Sequence, residues 1–112
     1  MVIPALSQDQ SDLIRRCLHA AVEGPFFDDA EFPTLIGVSR ADARAAADAW
    51  PNVSATDEVV TSVINNMLLN LFGYPHGDMV AWDRLIAVDP VEVRRVWHKW
   101  KASTTLPVAS FE

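Results

Sequence analysis

The sequence predicts an all-α fold, a single compact bundle of four main helices plus one short helix, and three observations lead there. Apolar residues recur at intervals of three and four in several segments of the 112-residue chain. Helix start and stop signals stand at the ends of those segments. No run alternates apolar and polar residues for long enough to make a strand.

The strongest segment is 57–72, DEVVTSVINNMLLNLF, which is followed by no formal charge until Asp78. Wound into a helix, it places Val59, Val60, Val63, Ile64, Met67, Leu68, Leu71 and Phe72 over more than half of its circumference, with Leu69 on the remaining arc. A helix apolar over that much of its surface is normally covered on several sides. It is therefore expected to be innermost, starting after Ser54 or Thr56 and ending at Gly73.

The other elements follow in chain order. Ser7 and Gln10 have capping-box spacing and open a helix over 8–23, which Gly24 and Pro25 close. Leu13, Ile14, Cys17, Leu18, Ala21 and Val22 form its apolar stripe. Residues 24–38 are irregular, with one helical turn expected around Pro33–Ile36 because proline suits a first helical position. Ser39 caps an alanine-rich helix over 40–50 that stops before Pro51 and is anchored by Trp50; its alanines point in all directions, so its facing is ambiguous. A shorter helix over 78–87 presents Met79, Val80, Trp82, Leu85 and Ile86. Asp89, Pro90 and Glu92 open the last helix with a cap, a first-turn proline and a capping-box partner. That helix carries Val93, Val96, Trp97 and Trp100 on one face and Arg94, Arg95, His98, Lys99 and Lys101 on the other. Residues 1–102 thus read as one domain and 103–112 as a tail, with no internal repeat.

Composition narrows the function classes. Half of the residues are hydrophobic, enough for a real core, and the lone Cys17 allows no internal disulfide and is expected to be a small buried hydrophobe. The net charge of −6 lies entirely in residues 1–60, which hold ten acidic and four basic residues. Nucleic-acid binding, which draws on phosphate neutralisation, is disfavoured, and a partner with a basic surface is favoured. The N-terminal MVIPALSQDQ has no signal-peptide pattern, and no apolar run approaches the roughly 20 residues of a membrane span, so a cytoplasmic location is expected.

Candidate chemistry is sparse. Asp28, Asp29 and Glu31 stand beside Phe26, Phe27 and Phe32, but without calcium-loop spacing, so no metal or cofactor is expected. As an acidic, aromatic protrusion these six residues suit a basic partner; the alternative is that the rings plug the end of the bundle. Asn66 and Asn70 lie one turn apart on the central helix, Asn70 inside its apolar arc and Asn66 at the edge. A buried amide must be satisfied, either by a ligand between helices or by the backbone of a neighbouring loop. His76, between Pro75 and Gly77 with Asp78 behind it, is the best acid–base candidate. No nucleophile motif, metal-ligand pattern or glycine-rich phosphate loop accompanies it.

The expected function is therefore a small cytosolic protein-binding module, inhibitor-, immunity/antitoxin- or adaptor-like, acting through the acidic-aromatic 24–38 loop. The alternative is a ligand-binding or enzymatic domain with a pocket between the 24–38 and 73–78 loops, lined by Asn66, Asn70, Tyr74, His76 and Asp78. The Trp-rich last helix also offers a surface for homodimerisation.

Overall fold

The computed structural model describes residues 6–24, 26–53, 56–73 and 79–104, the side chains of Phe72 and Met79 excepted. Six helices account for most of them: α1 (Gln8–Glu23), α2 (Phe32–Ile36), α3 (Arg40–Ala49), α4 (Glu58–Gly73), α5 (Met79–Leu85) and α6 (Pro90–Lys101). Among the described residues there is no strand.

Local chemistry accounts for the boundaries. Ser7 Oγ accepts from the Gln10 backbone at 3.2 Å while Gln10 Oε1 accepts from the Ser7 backbone at 3.0 Å, completing the capping box. α4 is capped one or more residues later than expected: Asp57 Oδ1 accepts from the backbone N–H of Val59 (3.1 Å) and Val60 (3.2 Å). Asp89 caps α6 through the Val91 N–H at 2.8 Å, but Glu92 does not close the box and instead pairs with Arg95 at 3.2 Å. Past the end of α6, the hydroxyls of Ser103 and Thr104 donate to the carbonyls of Trp100 and Lys101, using two of the last turn's acceptors.

α4 packs against α1, α2, α3 and α6, as an inner helix should. α1 is equally enclosed, by α3, α4, α5 and α6. The centre is therefore an α1–α4 pair, with Cys17, Leu18 and Ala21 facing a core that also holds Ile64, Met67, Leu68 and Leu71. Trp82, Trp97, Trp100 and Phe32 fill it from the other helices. The radius of gyration is 12.9 Å, close to the roughly 13 Å expected for about 100 residues.

Three apolar faces differ from expectation. Val80 is exposed and Ala81 buried, because Val80 lies about 200° around the helix from the Trp82 anchor while Ala81 sits one turn before Leu85. Val59, in the first turn of α4, is 72 % exposed. Lys101, assigned to the solvated face of α6, is buried, with its ammonium 4.8 Å from the centre of the Trp97 ring one turn back.

The tryptophans are mostly satisfied as donors. Trp50 Nε1 donates to the Ser11 carbonyl (2.9 Å), Trp82 Nε1 to the Val88 carbonyl (2.7 Å) and Trp97 Nε1 to Asn65 Oδ1 (2.7 Å). Trp50 and Trp100 meet edge to face at 6.3 Å, so Trp50 anchors the end of α3 as its position predicts. Trp97 and Trp100 are both buried within the chain. A dimer through that face would have to unpack them, and what α6 leaves outside is Val91 and a row of charges.

Candidate functional site

One side chain ties the first part of the 24–38 connection to its neighbours. Arg40, at the start of α3, donates through Nη1 to the Val22 carbonyl and through Nη2 to the Phe27 carbonyl at 3.0 Å. Its Nε meets Asp29 Oδ1 at 3.0 Å, and its guanidinium carbon lies 4.4 Å from the centre of the Phe32 ring. A guanidinium presents several donors in one plane and still offers a face to an aromatic ring, so one Arg closes the loop against α1, α3 and α2. Beside it Arg44 bonds Glu23 at 2.8 Å.

This arrangement divides the six expected partner-binding residues. Phe26, Phe27 and Phe32 are buried, Phe26 packing edge to face on Trp82 and Phe27 on Phe32, both at 6.2 Å. The aromatic half of the expected surface is thus part of the core, because three large apolar rings so close in sequence gain more by burial than by standing in water. Asp28 and Glu31 are exposed, and the Asp29 side chain, 93 % exposed, is engaged by Arg40. Only carboxylates remain on the outside.

The alternative pocket divides as well. Asn66 Nδ2 donates to the Ile36 carbonyl at 2.9 Å, and Asn70 Nδ2 donates to the Leu35 carbonyl at 3.1 Å and to the Asn66 carbonyl at 2.8 Å. Both amides therefore tie α4 to the end of α2, satisfying carbonyls that the short helix leaves open. Gly37, at φ 96°, ends α2 in the left-handed conformation, with its N–H on the Pro33 carbonyl at 2.8 Å. Tyr74, His76 and Asp78 lie outside the described residues. Cys17 is fully buried, and burial pushes its thiol up to about 12, against a smaller opposing effect of Arg16, so it is no nucleophile at neutral pH. Among the described residues no group of three or more His, Cys, Asp and Glu stands close enough to hold a metal ion.

What the sequence does not announce is an apolar groove between α3 and the first turns of α4. It has a volume of about 380 Å³. Ala45 and Ala49 of α3 face Val59, Val60 and Val63 of α4 across it, and Val38 and Val53 close its sides. Asp42 and Asp57 stand on its edge. A second depression, also about 380 Å³, continues from it past Val38, Val59 and Val63 to Glu58, Ser62 and Gly37. Among the described residues that line these two stretches there is no cation. The groove exists because α3 meets α4 through alanine: the small side chains let the helices approach at their buried edge and leave a shallow channel where longer ones would have filled it. The one available sequence signal was the run of alanines itself.

Among the described residues no helix is long and apolar enough to cross a membrane. No protein-family model matches this chain, and no curated protein or solved structure matches it significantly.

Proposed function

We propose that this protein is a protein-binding module and that the α3/α4 groove receives its partner. The observation that supports this reading is an open apolar channel, with Val59 72 % exposed beside it, whose charged edge is carboxylate only. Exposed aliphatic surface arranged as a channel marks a contact site more than scattered apolar residues do. The charge favours a basic occupant. Asp42, Asp57 and Glu58 call for Lys or Arg flanking the apolar anchors, and the net charge of −6 draws such a segment in from a distance. The groove runs between two helices and the described residues offer no sheet edge, so the occupant is an amphipathic helix with aliphatic anchors at i, i+3 and i+4. Inhibition, toxin neutralisation and bridging between proteins are all served by capture of this kind. The carboxylates Asp28, Asp29 and Glu31 contribute to the long-range field and not to the contact.

The test is a selection of helical peptides displayed against the immobilised protein, repeated against Ala49→Trp, which fills the channel. Peptides enriched in aliphatic anchors with Lys/Arg flanks, and lost on the Ala49→Trp protein, are the expected result. Selected peptides that bind both proteins equally would remove the groove from the account.

A further inference from the structure

On a different side of the bundle, a cleft of about 330 Å³ opens between the second half of α1 and α5. It shares no residue with the α3/α4 groove. Arg16 and His19 of α1 line one wall and Arg84 of α5 the other, over a floor of Ala20, Gly24 and Leu85. Gly24 is required there, because a Cβ at this position would lie 3.0 Å from Leu85 Cδ1 and 2.5 Å from the Ala20 carbonyl oxygen. The absence of a side chain thus lets Leu85 of α5 come close to the end of α1, and Arg16 and Arg84 line the one cleft between the two helices.

What sets these arginines apart is that they line one cleft together; Arg15 also pairs with no carboxylate among the described residues. Arg40, Arg44 and Arg95 rest on Asp29, Glu23 and Glu92 at 2.9, 2.8 and 3.2 Å. Arg16 and Arg84 pair with no carboxylate among the described residues, although the chain has 15 acidic residues to 9 basic. The carboxylate that does line the cleft, Glu23, is held by Arg44 at 2.8 Å and faces His19 Nδ1 at 3.6 Å, so its charge is already compensated. His19 Nε2 also faces Asp48 at 3.9 Å.

We infer that this cleft binds a small organic anion, with a phosphate or carboxylate group held between Arg16 and Arg84 and an apolar body on Ala20 and Leu85. Guanidinium groups bind both oxyanions through paired N–H donors. A phosphate monoester satisfies two arginines better than a carboxylate does, because it carries more charge and a third oxygen. The volume accommodates a small ligand.

The experiment is NMR titration of the ¹⁵N-labelled protein, following backbone amides and arginine Nε–H signals at constant ionic strength. The probes are phenyl phosphate, inorganic phosphate and benzoate, with sodium chloride as the reference. Saturable shifts confined to Arg16, Arg84, Ala20 and Gly24 are expected. Phenyl phosphate should bind more tightly than benzoate, which tests the choice of phosphate, and more tightly than inorganic phosphate, which tests the apolar floor. Arg16→Gln and Arg84→Gln, both at exposed positions, should each weaken phenyl phosphate by about tenfold or more, the loss of a charge-assisted pair of hydrogen bonds. Arg15→Gln should leave it unchanged. Shifts that chloride reproduces, that spread equally over Arg15 and Arg95, or that survive in both cleft variants would overturn the assignment.

Discussion

Arg40 shows how much one side chain can organise. Two of its hydrogen bonds go to backbone carbonyls 18 and 13 residues earlier, and its guanidinium covers a buried ring. Removing it leaves partly buried carbonyls without a donor, which costs more than the bond itself contributes. Arg40→Ala should lower unfolding stability by about 2–3 kcal/mol in a denaturant titration. Asp29→Asn, at an exposed ion pair, should change it by less than about 1 kcal/mol. Cys17 gives the pH counterpart. Its thiol is raised by burial from 9.0 to about 12 in the folded protein. Above pH 9 the unfolded chain loses this proton and the folded chain keeps it, so stability falls as pH rises from 9 towards 12. The slope is at most about 1.4 kcal/mol per pH unit, and Cys17→Ala should remove that component from a stability–pH profile. Of these two residues only Cys17 was legible in sequence, because its role follows from its own place in an apolar stripe. Arg40 could not be read, since two of its partners are main-chain carbonyls that carry no sequence signal.

The helices were legible as elements, and their ends follow from chemistry within a few residues. The box of Ser7 and Gln10, the Ser39 cap and the Asp89–Pro90 start all form where spacing places them. Their facing was less accessible. Val80 and Ala81 exchange places because a seven-residue helix is oriented by its anchor, Trp82, and not by average hydrophobicity. The Asn66/Asn70 pair was legible as a pair needing partners, and the α2 carbonyls satisfy it. Gly24 ends α1 as expected, but for a different reason. Its backbone is extended, at φ −81° and ψ 177°, so any residue could adopt it. What demands glycine is the close approach of Ala20 and Leu85. Gly24→Ala should therefore destabilise the protein by about 1–3 kcal/mol, the usual range for overpacking, and a thermal melt beside that of the parent protein would measure it.

For the whole molecule, composition and periodicity specify an all-α bundle, and that is what forms. They do not specify which surfaces stay open. The 24–38 segment reads as a protrusion because three carboxylates and three aromatic rings crowd one short connection, yet packing separates them: rings inward, carboxylates outward. The α3/α4 groove was hidden for the opposite reason, since alanines have no face until a neighbour is placed beside them. In the proposed function the acidic edge of the groove gives association a salt dependence. Capture by the groove should be faster at low salt and slow as screening rises, because the attracting carboxylates are exposed. The most direct measurement is methyl NMR of the protein with a basic amphipathic peptide from the selection described above. The account predicts intermolecular contacts from the peptide's aliphatic anchors to Val38, Val59 and Val63, abolished by Ala49→Trp. A bound peptide whose contacts lie elsewhere on the bundle, with those three valines unperturbed, would contradict it.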